Sequence, residues 1–149
     1  ILQHRLKAHA DRPEIEVVKH YGNLPRVECY AGQLNQVFMN ILVNAIDALE
    51  EQPEKECPGM IEISTALVDD AWIQIAIADN GPGIPQDIQA RIFNPFFTTK
   101  PVGKGTGMGM SISYQIITER HRGKLECLSQ PGKGTQFVVQ IPYVKEPIV

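Results

Sequence analysis

At residues 79–83 the chain reads Asp-Asn-Gly-Pro-Gly, and at residues 103–109 it reads Gly-Lys-Gly-Thr-Gly-Met-Gly. In the first stretch an acid follows an apolar strand pattern, and a carboxylate there can accept a hydrogen bond from a base amine. The second stretch leads into an amphipathic segment, and glycine-rich backbone at a helix start can bind phosphate. Together they predict a nucleotide site, although the Gly-x-x-x-x-Gly-Lys-Ser/Thr loop is missing from the sequence.

The composition limits the class of protein. A chain of 149 residues, 43% of them hydrophobic, can form one domain around one core. A formal charge of −3 argues against a nucleic-acid partner. No apolar run approaches the roughly 18 residues of a membrane span, and no signal peptide opens the chain, so we expect a cytoplasmic domain without membrane insertion. Cys29, Cys57 and Cys127 are widely spaced, which favours reduced thiols over a zinc site.

Hydrophobic spacing predicts an α/β architecture. Apolar residues recur at helical spacing over residues 32–51 and 107–122, and Pro85 suits the start of a short helix over residues 85–92. Alternating apolar residues predict strands at residues 15–18 (an edge), 26–30, 60–67, 72–78, 124–129 and 135–141. Because several strands follow one another directly, we expect a two-layer sandwich whose mixed sheet is covered by helices on one face.

Two segments lack this periodicity. Residues 1–13 look like a polar lead-in, so we place the folded domain at residues 14–145. Residues 94–106 carry prolines and glycines, which predicts a mobile loop. The aromatic residues beside and within it, including Phe93, are either core residues or the anchor of a moving lid.

A polar stripe runs along the long helix beside its apolar face. Gln36, Asn40, Asn44 and Asp47 are spaced by four, four and three residues. Asparagine is a mediocre helix former, and its carbonyl oxygen suits Mg²⁺. The stripe therefore indicates a half-buried site for a metal with phosphate; the alternative is a solvated stripe.

The other candidate residues also have simpler alternatives. Asp79 could bind the exocyclic amine of adenine or could cap its own Asx-turn. Lys100 and Lys104 are candidate counter-charges for phosphate or solvated surface residues. His4, His9, His20 and His121 show no catalytic setting, so we expect surface or capping roles.

In this order the segments resemble the ATP-binding catalytic domain of sensor histidine kinases. That family lies in the superfamily of type II topoisomerase, heat-shock chaperone and mismatch-repair ATPases. Five segments over roughly residues 25–143 carry the resemblance: an N box at 40–45, a G1 box at 79–83, an F box at 92–97, a G2 box at 103–109 and a glycine–threonine turn at 132–135.

The resemblance implies a mixed five-stranded sheet with three helices, and ATP and Mg²⁺ bound between the helices and a lid at 94–106. It implies catalytic roles for Asn40, Asn44 and Lys100, with Asn44 as the metal ligand and Asp79 at the adenine. The nucleotide-binding residues that it implies are Asn40, Asn44, Asp47, Asp79, Gly81, Gly83, Ile84, Phe93, Thr99, Lys100, Lys104, Gly105, Thr106, Gly107, Met108, Gly109 and Thr135.

Two departures matter. Many members carry a basic residue where this chain has Asp47, which leaves two alternatives: Lys100 and Lys104 supply that charge, or Asp47 serves the metal's water shell. Related hydrolases carry a water-activating Glu where this chain has Asn40, which cannot act as a base.

The resemblance therefore implies a kinase domain that phosphorylates a histidine on a separate dimerisation domain and serves a downstream response regulator. Residues 1–13 would lead in from that domain, without which we expect a monomer that does not autophosphorylate. The alternative is a non-catalytic module that senses ATP through lid closure.

Overall fold

In the computed structural model, residues 15–27, 29–50, 58–94 and 109–143 are described, and they form two layers, a mixed sheet and a layer of helices. The strands are β1 (Glu16–Tyr21), β2 (Met60–Val68), β3 (Trp72–Asp79), β4 (Lys124–Gln130) and β5 (Gly134–Pro142). The helices are α1 (Ala31–Glu50), α2 (Gln86–Gln89) and α3 (Gly109–Gln115), and α3 continues as a π-helical turn over Ile116–Arg120.

The described strands form one five-stranded sheet in the order β1-β2-β3-β5-β4. β1 pairs parallel to β2, and the other neighbouring pairs are antiparallel. The expectation of a mixed five-stranded sheet in a two-layer sandwich is confirmed, and β1 is an edge strand as expected. β3 lies at the centre, so its last residue has a neighbouring strand on each side.

The core lies between the sheet and the long helix. Period-two alternation turns one face of each central strand towards the helices, and from that face Ile61, Val139 and Ile141 are at most 2% exposed. The buried face of α1 consists of Leu34, Val37, Ile41, Ala45, Ile46 and Leu49. Burying one such aliphatic side chain is worth about 1.5–3 kcal/mol, so this contact holds α1 on the sheet. Among the described residues, no helix is both long and apolar enough to cross a membrane.

The predicted strand at residues 26–30 was wrong. Residues 26, 27, 29 and 30 form no strand, and residue 28 lies outside the described residues. The backbone N–H of Tyr30 donates to His121 Nε2 at 3.0 Å, and the Tyr30 carbonyl accepts from Leu34 N at 2.9 Å. Because these bonds engage Tyr30 at the start of α1, its backbone is not available for a sheet ladder.

The two later helices differ from the prediction in their bounds. The helix expected over residues 85–92 is limited to Gln86–Gln89, followed by turns as far as Phe93. The helix expected over residues 107–122 begins within the described residues at Gly109 and changes to a π-helical turn at Ile116. Gly123 N donates to the Ile117 carbonyl at 2.7 Å, and Thr118 Oγ1 donates to the Tyr114 carbonyl at 2.7 Å. These bonds accompany the widened turn that ends the helix.

A tight turn joins β2 and β3. Ala71 N donates to the Val68 carbonyl at 3.0 Å, and Asp69 and Asp70 have φ angles of 54° and 51°. Two central residues at positive φ define a type I′ turn, whose twist matches that of the strands.

Replacing Asp70 by Gly should raise the free energy of unfolding by about 0.5–1 kcal/mol, because glycine avoids the steric cost of a Cβ at positive φ. Urea unfolding measures the change. Ala71→Gly is the control, since Ala71 does not have a positive φ, and we expect that substitution to destabilise the protein. Equal destabilisation by both substitutions would contradict the turn assignment.

Candidate functional site

Asp79 is the last residue of β3 and lies at the centre of the candidate site. In the sheet register it stands opposite Ile61 of β2 on one side and Thr135 of β5 on the other. Its side chain is half-buried, and its Oδ1 atom accepts a hydrogen bond from Gly81 N at 2.9 Å. The Asx-turn considered from the sequence is therefore present, and it orients the carboxylate at the end of the strand.

Two glycines after Asp79 have specific steric reasons to lack a side chain. A Cβ on Gly81 would lie 2.9 Å from Asp79 Oδ1 and 3.3 Å from the Cβ of Ala48 on α1. Gly83 has a φ of 78°, and a Cβ there would collide with the Gln130 carbonyl. The turn thus packs between α1 and the β4–β5 hairpin at a distance that only glycine allows.

A hydrogen-bond network centred on Ser129 joins this turn to the β4–β5 hairpin. Ile84 N donates to Ser129 Oγ at 2.7 Å, and Ser129 Oγ donates to the Gly134 carbonyl at 3.0 Å. The hydroxyl groups of Ser129 and Thr135 are 2.8 Å apart. Gln89 Nε2 donates to the Ile84 carbonyl at 2.7 Å and to the Ser129 carbonyl at 3.0 Å. Ile84 and Thr135 are therefore linked through a residue that was not among the sequence candidates.

Ser129 and Gln89 are the residues that sequence reasoning missed. Ser129 follows Leu125 and Cys127 at period two on β4, so the same alternation turns it towards the core face. A hydroxyl at an inward strand position needs a hydrogen-bond partner. That signal was available for Ser129, whereas nothing in the sequence pointed to Gln89.

The polar stripe on α1 is half-buried where it faces α3. Asn40 Nδ2 donates to the Gly109 carbonyl at 3.1 Å and to Ser113 Oγ at 3.0 Å. Asn44 and Asp47 are also half-buried, whereas Gln36 is exposed. The solvated alternative therefore holds for Gln36 but not for the other three residues. Within the described part of the chain, Asn44 makes no side-chain hydrogen bond.

Phe93 packs against the core. Its ring stacks on Tyr114 with the centroids 5.0 Å apart, and it meets Phe137 edge-on at 6.5 Å. Residues 95–108 lie outside the described residues. They hold nearly all of the expected lid and the predicted site residues Thr99, Lys100, Lys104, Gly105, Thr106, Gly107 and Met108.

The side chains that most often bind metals in proteins do not form a cluster in the described ranges. No group of three or more His, Cys, Asp or Glu side chains there could hold a metal ion. Among the histidines for which we expected surface or capping roles, His121 has a hydrogen-bond partner at each ring nitrogen. Its Nε2 atom accepts from Tyr30 N, and its Nδ1 atom lies 2.9 Å from the Ile116 carbonyl. His20 is an exposed residue 3.6 Å from Glu62. Neither histidine is placed as a phosphoacceptor in a helical pair.

Comparison with known proteins identifies the fold family. The family model described as histidine kinase-, DNA gyrase B-, and HSP90-like ATPase matches residues 30–145. The chain belongs to this family. This chain is 36% identical over 140 residues to the two-component sensor PprA of Pseudomonas aeruginosa. The match covers 94% of this chain but only 14% of PprA.

Solved structures agree with this assignment. The nucleotide-free catalytic domain of the histidine kinase ThkA has 33% identity and a TM-score of 0.72, over 86% of this chain and 80% of the ThkA chain. ThkA in complex with the response regulator TrrA has 30% identity and a TM-score of 0.68, over 86% of this chain and 34% of that chain. The domain therefore corresponds to the catalytic domain of sensor histidine kinases and spans a small part of its curated relatives.

Cys127 of the kinase domain is a half-buried residue of β4, opposite Phe137 of β5. Burial, and to a lesser extent the negative charge of Asp79, raise the pKa of the Cys127 thiol from its ordinary value of 9.0 to about 11. Cys29, in contrast, is exposed.

In a variant with Cys29→Ser and Cys57→Ser, the rate at which iodoacetamide alkylates Cys127 should keep rising with pH beyond 9 and reach half its maximum near pH 11, the raised pKa of the folded thiol. Asp79→Asn should lower this midpoint because it removes a negative charge. The free energy of unfolding should also fall between pH 9 and 11, since only the unfolded thiol ionises in that window. A midpoint near 9 in the parent variant would contradict the burial of the thiol.

Proposed function

We propose that this domain binds Mg-ATP beside α1 and donates the γ-phosphoryl group to a histidine of a separate dimerisation domain. The observation that carries the proposal is the contact of the Gly81 turn with Ala48, one helical turn after Asn44 on α1. That contact brings the end of β3, with Asp79, to the side of α1 that carries Asn44, whose side chain makes no hydrogen bond among the described residues. This proximity supports a single site in which Asp79 would accept from the base and Asn44 would hold the metal.

The residues around Asp79 fit an adenine ring. The carboxylate is half-buried and oriented by its own turn, so it can accept from the exocyclic amine without first being ordered. Gly81 has no Cβ that would crowd Oδ1, which leaves room for the edge of a base. Thr135, opposite Asp79 in the register, adds a second polar atom at this end of the sheet.

The residues on α1 fit a magnesium ion together with phosphate oxygens. Asn44 is half-buried and without a hydrogen bond in the described part of the chain, so its carbonyl oxygen is available as a ligand. Mg²⁺ commonly takes one or two protein ligands together with waters and phosphate oxygens. A bound Mg²⁺ would neutralise charge on the phosphates. Lys100 and Lys104 of the proposed lid, residues 94–106, would add positive charge there.

Asn40 favours phosphoryl transfer over hydrolysis. Its amide nitrogen is engaged with Gly109 and Ser113, and a neutral amide has no basic atom that could activate water. Asn40 therefore joins α1 to the start of α3 and positions the phosphate end of the site. A histidine of the dimerisation domain then serves as the nucleophile, oriented in line with the γ-phosphate.

The remaining parts of the proposal concern the longer protein. We take residues 1–13 as the connection from the dimerisation domain and residues 14–145 as the catalytic domain in the cytoplasm. A response regulator would receive the phosphoryl group from the histidine. The likeness to ThkA in its complex with TrrA supports that partner class.

With γ-labelled ATP and Mg²⁺, the isolated chain should remain unlabelled and should hydrolyse ATP very slowly, because no histidine in its sequence stands in a recognisable acceptor setting and Asn40 occupies the position of the hydrolytic Glu. Adding the dimerisation domain of its full-length protein should produce acid-labile, base-stable label on that domain's histidine. Label retained after alkali and lost after acid, located by mass spectrometry, checks the result.

Two outcomes would contradict the phosphotransfer proposal. Fast ATP hydrolysis by the chain alone would move it towards the ATPases of the family. ATP binding without label on the added domain would favour a nucleotide-sensing module. Asn44→Ala serves as the control for background transfer, because it should bind the partner but lose metal-dependent labelling.

Asp79→Ala and Asn44→Ala should weaken ATP binding in different ways. Loss of the charge-assisted bond at Asp79 should cost about 1.5–3 kcal/mol, with or without Mg²⁺. Asn44→Ala should remove the gain in affinity that Mg²⁺ gives the unaltered domain and should leave metal-free binding unchanged. Calorimetric titration with ATP, in Mg²⁺ and in chelator, measures both effects. If Mg²⁺ raises affinity equally with and without Asn44, that residue is not the ligand.

A further inference from the structure

The hydroxyl group of Ser129 has three hydrogen-bond contacts, and their chemistry determines where its proton lies. The contacts are Ile84 N at 2.7 Å, the Gly134 carbonyl at 3.0 Å and Thr135 Oγ1 at 2.8 Å. A hydroxyl has one proton to donate and two lone pairs to accept with. Ile84 N can only donate, and the Gly134 carbonyl can only accept.

One arrangement satisfies all three contacts. Ser129 donates its proton to Gly134 and accepts from Ile84, so its remaining lone pair accepts the proton of Thr135. If Ser129 donated to Thr135 instead, the Gly134 carbonyl would face an oxygen lone pair at 3.0 Å without a proton between them. The contact between Ser129 and the Gly134 carbonyl is partly buried, so a carbonyl left there without a donor would cost free energy.

This arrangement leaves Thr135 as an acceptor at the candidate base pocket. Its single proton is used by Ser129, so its oxygen can offer only lone pairs to a further partner. Asp79, directly opposite in the β3–β5 register, also offers only lone pairs when ionised. The end of the sheet therefore presents two acceptors and no hydroxyl donor from these side chains.

We propose that Ser129 is a specificity-determining residue that acts through Thr135, and that it makes the pocket select 6-aminopurine nucleotides over 6-oxopurine nucleotides. The inference rests on the proposed nucleotide site. An amino group has two protons, one for Asp79 and one for Thr135, directly or through an ordered water. A 6-oxo group has only lone pairs and faces two acceptors. Gln89 holds the backbone of Ser129 and Ile84 without touching this hydroxyl.

The test compares ATP with inosine triphosphate, whose base has an oxo group in place of the amine. In Ser129→Ala the proton of Thr135 is released, so Thr135 can rotate and donate to the oxo group. The preference for ATP over inosine triphosphate should fall roughly tenfold, the equivalent of one hydrogen bond. Calorimetric titration of both nucleotides gives the ratio of their dissociation constants, and circular dichroism confirms the fold.

Gln89→Ala is the matched control. It removes two hydrogen bonds from the same network but leaves the Ser129 hydroxyl, so it should weaken both nucleotides by the same factor and keep the ratio. Ser129→Thr retains the hydroxyl group, so it should keep the preference for ATP over inosine triphosphate. If Ser129→Ala does not fold, Ser129→Cys takes its place, because cysteine is nearly isosteric with serine and its thiol is a weak donor and acceptor. Ser129→Cys should also lower the preference for ATP over inosine triphosphate.

The outcomes separate this inference from the proposed function. An unchanged ratio in Ser129→Ala or Ser129→Cys, with ATP still bound, would overturn the role of Ser129 and leave the nucleotide site intact. Equal losses for both nucleotides would mean that Ser129 is only structural. If the unaltered domain bound neither nucleotide, the proposed function itself would fail.

Discussion

The antiparallel register between β3 and β5 is the constraint on which the candidate site depends. It sets Asp79 of β3 opposite Thr135 of β5. Two positions further into the sheet, it sets the buried residues Ile77 and Phe137 opposite each other. A slip of one residue would turn all of these side chains to the other face of the sheet. The apolar pairs that hold the register in the core therefore also determine where the carboxylate and the hydroxyl emerge.

The second constraint is the close packing of three chain segments around Asp79. The Gly81 turn touches Ala48 of α1, and Gly83 lies against the Gln130 carbonyl of the β4–β5 hairpin. Two turns before Ala48 on α1, the amide nitrogen of Asn40 donates to the Gly109 carbonyl. The first two links use a glycine and the third uses an amide nitrogen that donates two hydrogen bonds, so close packing and these bonds hold the polar groups of the site in place.

The sequence predicted the elements whose pattern is local. Apolar residues of α1 recur at helical spacing, and β2, β3, β4 and β5 alternate clearly, so these elements were predictable. The strand expected at residues 26–30 was not, because the bond from Tyr30 N to His121 spans 91 residues.

For the site, the sequence by itself determined the chemical types: a carboxylate after an apolar strand, glycines that permit a close turn, and amides along one helix. These types follow from the chemistry of the side chains and from the spacing of apolar residues along the sequence, and both are properties of the chain before it folds. Only the tertiary structure decided which of these groups form hydrogen bonds. Asn40 donates to Gly109 and Ser113, whereas the side chain of Asn44 makes no hydrogen bond within the described residues. The contacts of Ser129 likewise determine where the proton of Thr135 is directed. These depend on distances between residues far apart in sequence, and the direction of a hydrogen bond is set by every partner that the fold brings to one oxygen.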